Sequence, residues 1–247
     1  MKNQVIELLK NRSSVREMTH TKLNDDEINA LKEAINSSAT SMSRVSASAI
    51  IITDQKIKEQ IKEQCGFSGQ EHLSTSAAIV IFCLDQTRAK YAAKKKGLEI
   101  DTTNLENFLQ AFGDAYIMAT NASVAANALG YGTVYLGGMR FFDIPEFIQK
   151  TYNLDKNIMP VLGLAIGKAA SQKKYHPYHI NKTFVDGYDQ EVVYKELEQF
   201  NKDEIEFLGE EFFKYSYMES VPKSYKFNLT EKYEKYLKDL LNYNSKK

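Results

Sequence analysis

Ala125-Ala126-Asn127-Ala128-Leu129-Gly130-Tyr131-Gly132-Thr133-Val134-Tyr135-Leu136-Gly137-Gly138-Met139-Arg140 is the stretch on which the reading of this chain turns. Its first residues end a long helical pattern over residues 105–129, in which Phe108, Leu109, Phe112, Tyr116, Ala119, Ser123 and Ala126 recur at helical spacing. The second half of that pattern is dense in Ala and Ser, so a sheet or another helix can come close to it. Gly130 is placed to end the helix as a left-handed cap. Residues 133–136 then read as a strand, and Gly137 and Gly138 follow it. Glycine after a strand permits positive φ and close approach of backbone to something flat. An ordinary strand-end turn has the same composition. The GxGxxG spacing of a dinucleotide fold is missing.

Outward from this stretch, short apolar runs at 49–53, 77–84 and 159–167 read as strands. The run at 77–84 is continuously apolar, which fits a strand covered on both faces. Helices are expected at 5–9, at 56–64 and at 144–152, the last with Pro145 in its first turn. Asn24 and Glu27 form a capping-box pattern before a helix that puts Ile28, Leu31, Ala34 and Ile35 on one face. Residues 37–48 are rich in Ser and read as a loop. Beyond Gly167 the chain turns polar, aromatic and Lys-rich, with helical patterns at 192–200, 204–215 and 231–241. There is no internal repeat and no linker long enough to divide the chain. Mixed strands and helices point to an α+β or α/β fold with a helix-covered sheet, in one domain over 1–247.

The 247 residues carry 32 basic and 32 acidic side chains, and 43% are hydrophobic. A core is affordable on that composition, and no net field recruits nucleic acid or an anionic membrane. The lysines of residues 90–96 read as a solvated helix face. Cys65 and Cys83 lack disulfide or zinc spacing, and Cys83 lies within the apolar run. His20, His72, His176 and His179 make no metal pattern, and no metal site is expected. No segment approaches the ~20 apolar residues of a membrane span, and the N-terminus leads into an amphipathic stretch. A cytoplasmic protein is the default.

Chemistry is most concentrated in Asn11-Arg12-Ser13-Ser14-Val15-Arg16. The whole chain has five arginines, and two stand here. Guanidinium forks and hydroxyls suit one phosphate group. A solvated turn, its arginines paired with nearby acids, would look the same in sequence. Gln70, in Ser68-Gly69-Gln70-Glu71-His72, offers donors and acceptors suited to the pyrimidine edge of a flavin. Lys173-Lys174-Tyr175-His176-Pro177 is a second cation source. The anion-holding turn and the glycine run together suggest a phosphorylated aromatic cofactor, with flavin mononucleotide (FMN) the leading candidate. No Ser–His–Asp arrangement for hydrolysis is evident.

These segments resemble the nitroreductase family, in its oxygen-insensitive NADPH nitroreductase and FMN reductase branch. The likeness spans about residues 5–180. It is carried by Arg12-Ser13-Ser14-Val15-Arg16, by Gly69-Gln70 with His72, by the stretch from Ala125 to Arg140, and by Met159-Pro160-Val161-Leu162-Gly163-Leu164. The resemblance implies an α+β fold with a central, mostly antiparallel sheet surrounded by helices. It also implies a homodimer with FMN at the interface, and a helical C-terminal extension after about residue 180 that wraps the partner. Arg12, Ser13, Ser14 and Arg16 would hold phosphate and one ring edge, and Ser41 and Ser43 would contribute from the Ser-rich loop. Gln70 would face the ring, and Tyr135, Leu136, Gly137 and Gly138 would lie under it. Lys174 or His176 would replace the branch's Lys-Pro-Arg clamp, which this chain lacks. The activity implied is ping-pong reduction of nitroaromatics, quinones or free flavins by NADPH or NADH, through flavin N5. A non-catalytic flavin-binding protein, or another flavin reaction on the same scaffold, is the alternative.

Overall fold

The computed structural model describes residues 3–155, 157–171, 180–212, 217–226 and 231–240. They fall into two compact units. One comprises Met1–Tyr175 with Leu229–Lys247, the other His176–Asn228. None of the helices is long and apolar enough to cross a membrane among the described residues.

The first unit begins with α1 (Gln4–Asn11), capped by Asn3. Next comes α2 (Asp25–Asn36), which opens on the expected capping box. Asn24 Oδ1 accepts from the Glu27 N–H and Glu27 Oε2 from the Asn24 N–H, each at 2.9 Å. Then follow β1 (Ala47–Ile52), α3 (Gln55–Gln64), the short α4 (His72–Thr75), β2 (Ala78–Asp85) and α5 (Thr87–Lys96). Lys94, Lys95 and Lys96 are exposed in the last turn of α5, as a solvated face requires. The long helix α6 (Leu105–Ala128) leads into β3 (Gly132–Leu136), then α7 (Ile144–Thr151) and β4 (Ile158–Gly167). The last element of the unit is α10 (Glu231–Leu240), whose Tyr233 is buried in the core against Pro160.

The four strands form one wholly antiparallel sheet in the order β1-β2-β4-β3. This is the α+β architecture that the sequence implies. Strand β2 is buried at every position. Ala78, Val80, Phe82 and Leu84 face one core, shared with α2 and α6, while Ile79, Ile81 and Cys83 face another, shared with α3 and α7. The period-two alternation of a strand divides one apolar run between two layers. Cys83 is inert there, its thiol pushed up to about 12 by burial and by nearby Asp85.

Helix α6 lies on the first layer through Ala111, Ala115, Ala119, Ala122 and Ala126, all fully buried. Side chains this small let the helix approach closely, and polar groups then meet across the gap. Ser123 Oγ and Thr133 Oγ1 are 3.0 Å apart, and Asn127 Nδ2 donates to the same Thr133 hydroxyl at 3.1 Å. Gly130 has φ +77°, the left-handed cap expected of it. Lys168 Nζ donates to the carbonyls of Leu129 and Gly130 and lies 3.7 Å from the Tyr131 ring centroid, which fastens the end of α6 to the end of β4.

The outer edge of β3 is covered by residues 14–19. Val15 N–H donates to the Thr133 carbonyl at 3.0 Å, and Thr19 N–H to that of Lys168 at 2.9 Å. A side chain at Gly132 would place its Cβ 2.6 Å from Val15 Cγ2, so the strip fits only because that position has none.

The second unit holds α8 (Gln190–Phe212) and α9 (Tyr217–Ser224). Helical patterns were expected at 192–200 and 204–215. One helix runs through instead. The Asn201 side chain, which could have competed for its own backbone, accepts from the Met218 N–H at the start of α9.

Gly132→Ala is expected to destabilise the protein by about 1–3 kcal/mol through the clash with Val15. Adding Val15→Ala should restore part of that loss. Urea unfolding midpoints of the two single variants and the double variant check the coupling; additive losses would mean that the two side chains do not meet.

Candidate active site

Arg16, Gln70, Tyr135, Leu136 and Gly138 line one cavity of about 230 Å³. They come from the N-terminal strip, the turn before α4 and the end of β3, so folding gathers residues that the sequence holds more than a hundred positions apart. Apolar side chains from α3, β2 and α7 complete the walls, among them Ile61, Ile81 and Ile144. Phe67 and Phe142 meet edge to face with ring centroids 4.6 Å apart. Gly137 follows β3 directly and opens a 3₁₀ turn, Gly137–Phe141. Neither Gly137 nor Gly138 has a positive φ. The expected conformational freedom is therefore not used at the glycine pair, and what remains is a backbone free of side chains at the cavity wall.

Arg12 does not line this cavity; it lies by the Tyr135 side chain, which points to the α6 face of the sheet, its hydroxyl donating to the Ala119 carbonyl. Its guanidinium carbon lies 6.0 Å from the Tyr135 ring centroid, and its Nη1 is buried with no hydrogen-bond partner. Ser13 and Ser14 are half-buried next to it, Ser14 being bridged to Thr133 in parallel fashion. Neither Arg12 nor Arg16 forms an ion pair with an acid among the described residues. The other three arginines are engaged: Arg44 with Asn107, Arg88 with Asp85 and Arg140 with the Val161 carbonyl. The acid-paired turn that the sequence also allowed is not what forms.

Ser41 and Ser43 are not brought to the cavity. They lie in a 3₁₀ turn, Ser41–Ser43, tied to α6 through the buried carboxylate of Asp114. Asp114 accepts from the Thr40 hydroxyl and from the Ser41 and Ser46 N–H groups. Met42, Ser43 and Val45 all have positive φ, a costly conformation for a β-branched residue. Asp114 precedes Ser123, the residue bonded to β3, by about 13 Å of helix at ~1.5 Å per residue. A second, larger groove of about 620 Å³ lies on that side, beside edge strand β1 and α2, and contains none of the residues around the glycine pair. Lys174 and His176 lie outside the described residues.

His72 was not singled out from the sequence as a site residue. It lines the cavity at 1% exposure, and its Nδ1 is buried without a partner. Burial, helped by the nearby Arg16 cation and opposed by Glu71, pushes its pKa down to about 4. The imidazole is neutral at pH 7. A lone His beside a Gln in a short polar stretch gives no hint of burial; only the packing of α4 against α3 and β4 does.

The sequence profile described as "Nitroreductase family" matches residues 9–168, which takes in the arginine turn, the cavity and the whole sheet. The chain belongs to the nitroreductase family. Membership makes it an enzyme, an oxidoreductase. A Cr(VI) reductase from Pseudomonas sp. (strain G-1) is 35% identical over 173 residues, 70% of each chain. An NADPH-dependent oxidoreductase from Staphylococcus aureus (strain bovine RF122 / ET3-1) is 29% identical over 213 residues, 82% of each chain. Among solved structures, Bacillus megaterium NfrA2 superimposes with a TM-score of 0.87 at 23% identity, over 97% of this chain and 98% of that one. The NADPH:FMN oxidoreductase from Vibrio harveyi, solved with NAD+, gives 0.81 at 18% identity, over 97% and 98%. These nitroreductase folds bear the names of the branch that the sequence resembles.

Because His72 takes up its proton near pH 6.5 when unfolded and near 4 when folded, the unfolded chain binds more protons between those values. Its contribution to stability is present above about pH 6.5 and is lost as pH falls toward 4. His72→Gln should flatten that part of the stability profile. Urea midpoints at pH 7 and pH 5 for both proteins test this, and equal slopes would exclude His72 as the group responsible.

Proposed function

We propose that this nitroreductase-family protein is a homodimeric, FMN-dependent NAD(P)H oxidoreductase that reduces flat aromatic acceptors such as nitroaromatics, quinones or free flavins. The observation that carries the reading is the buried Nη1 of Arg12, which has no partner among the described residues, at the end of the turn whose Arg16 lines a cavity with Gln70, Leu136 and Gly138. A buried cationic donor without an acceptor is a strong call for an anion. Apolar walls and a side-chain-free stretch of backbone suit a flat ring. A phosphate for the arginine turn and a heterocycle for the cavity describe FMN.

In this reading Arg12, Ser13, Ser14 and Arg16 hold the phosphate and one ring edge, and Gln70 meets the ring. The backbone of Leu136, Gly137 and Gly138 supports it, and Lys174 or His176 adds a further cation. Bound FMN would supply the redox chemistry, taking a hydride at N5 from NAD(P)H and passing it to the acceptor in a ping-pong cycle. The chain's part is binding, orientation and fixed donors around the ring. Relatives named for NADPH favour a nicotinamide donor. The region after residue 180 has no arginine, so lysines would have to meet a 2′-phosphate there, and the co-substrate is NADPH or NADH.

Homodimerisation rests on one observation. Val5, Ile6 and Leu9 on α1, with Leu105, Leu109 and Ile117 on α6, form apolar faces that are 41–56% exposed on two contacting helices. The whole chain acts as one functional domain in this reading, its C-terminal region embracing the partner, in the cytoplasm.

The purified protein should be yellow and should bleach with NADPH or NADH under nitrogen. Arg12→Ala and Arg16→Ala should each weaken FMN binding by about 10- to 100-fold, the range for hydrogen bonds to a charged group. A colourless protein that takes up no FMN on reconstitution would sink the proposal.

Leu109→Asp should lower the sedimentation coefficient from dimer to monomer and weaken FMN binding in parallel. A wild-type monomer that binds FMN fully would rule the shared site out.

A further inference from the structure

We propose that Lys58 and Gln55, on α3, are positioning residues of the candidate active site: they fasten the one-turn helix α4 and thereby fix Gln70 at the cavity wall. This rests on the flavin reading above, in which Gln70 meets the ring. Lys58 is 3% exposed, and its Nζ donates to the Ser76 carbonyl just past the end of α4. Gln55 Nε2 donates to the Ser74 carbonyl at 3.0 Å. Neither residue lines the cavity, so an effect on a ligand there has to pass through α4.

A buried ammonium carries a large desolvation cost, and burial lowers the Lys58 pKa against the opposing pull of Glu59 and Asp54. A side chain that only filled this space would be apolar, as buried Ile61 is one turn further along α3. The work left for the ammonium is at the carbonyls of α4. That helix has four residues, too few to hold its shape by itself. The last carbonyls of a helix have no partner within it, and a cationic donor is favoured there. Lys62, on the same face of α3 as Gln55 and Lys58, pairs with the Glu71 carboxylate. One stripe of donors on α3 therefore runs along residues 71–76.

The place of Gln70 depends on that segment. Its carbonyl accepts from the Leu73 N–H at 3.0 Å, and the Glu71 carbonyl accepts from the Ser74 and Thr75 N–H groups. The Ser76 N–H returns to the His72 carbonyl at 3.1 Å. On the other side stands Gly69, with φ +73°. The Gln70 carboxamide itself has one long bond among the described residues, 3.4 Å to the Ser68 carbonyl. It is thus placed from its C-terminal side, by α4 and by the donors that fasten α4.

Binding of FMN to the full-length protein, to Lys58→Met, to Gln70→Ala and to the double variant tests this. Lys58→Met keeps an unbranched side chain and removes the donor. It should weaken binding about 2- to 10-fold, and Gln70→Ala should cost as much or more. In the Gln70→Ala background Lys58→Met should cost less than about twofold, because side chains that act through one contact are not additive. A lysine that only stabilised the fold would show no such coupling. Folded Lys58→Met or Gln70→Ala with wild-type affinity overturns the proposal, and so do losses that multiply in the double variant. If Lys58→Met does not fold, Gln55→Met takes its place in the same cycle, where unchanged affinity or multiplying losses overturn the proposal. A wild-type protein that takes up no FMN defeats the flavin reading itself, a result distinct from all of these.

Discussion

The closeness of α6 to the sheet is the constraint from which the rest of the first unit follows. Five buried alanines remove the side-chain bulk that normally separates a helix from a strand layer. At that distance Ser123 and Asn127 reach the Thr133 hydroxyl, which fixes β3 relative to the helix. Thr133 in turn gives its carbonyl to Val15, and Gly132 gives Val15 its room. Arg12 and Arg16 flank Val15 and have no acid to settle on among the described residues. The positions of two cations are thus set by a row of methyl groups on the far side of a strand.

That arrangement separates structural charge from available charge. Lys168, Arg44, Arg88 and Arg140 are occupied with carbonyls and side chains, and they close helix ends and loops. Arg12 is half-buried, next to an aromatic ring, with a donor left over. Desolvated donors in a fixed frame bind an anion with little reorganisation. His72 repeats the pattern in neutral form, its basicity suppressed mainly by burial.

Local signals in the sequence were read where local physics decides. The capping box at Asn24, the left-handed Gly130 and the doubly covered β2 depend on neighbours a few residues away, and each forms as expected. The central passage from Ala125 to Arg140 also gave the family, because its small residues and glycines are needed in that order for the helix, strand and strip to pack. Signals that depend on distant partners were harder. The patterns at 192–200 and 204–215 join in one helix, α8, whose Asn201 side chain accepts from the distant Met218 N–H. Gly137 and Gly138 suggested an unusual φ, whereas they provide only a smooth wall. Ser41 and Ser43 have the right chemistry for a phosphate, but Asp114, far along the chain, decides where they stand. The cavity walls at Ile61, Phe67 and Phe142 carry no pattern of their own; apolar residues near turns become a site only when the sheet order β1-β2-β4-β3 is known.

The return of α10 to the first unit bears on the order in which this protein can be made. Strand β4 is complete by Gly167, but the second unit, His176–Asn228, is synthesised before Tyr233 arrives to cover Met159 and Pro160. A ribosome moving from N- to C-terminus therefore produces the sheet early and its last cover late. During that interval the nascent chain carries an apolar surface that only its own later residues can close.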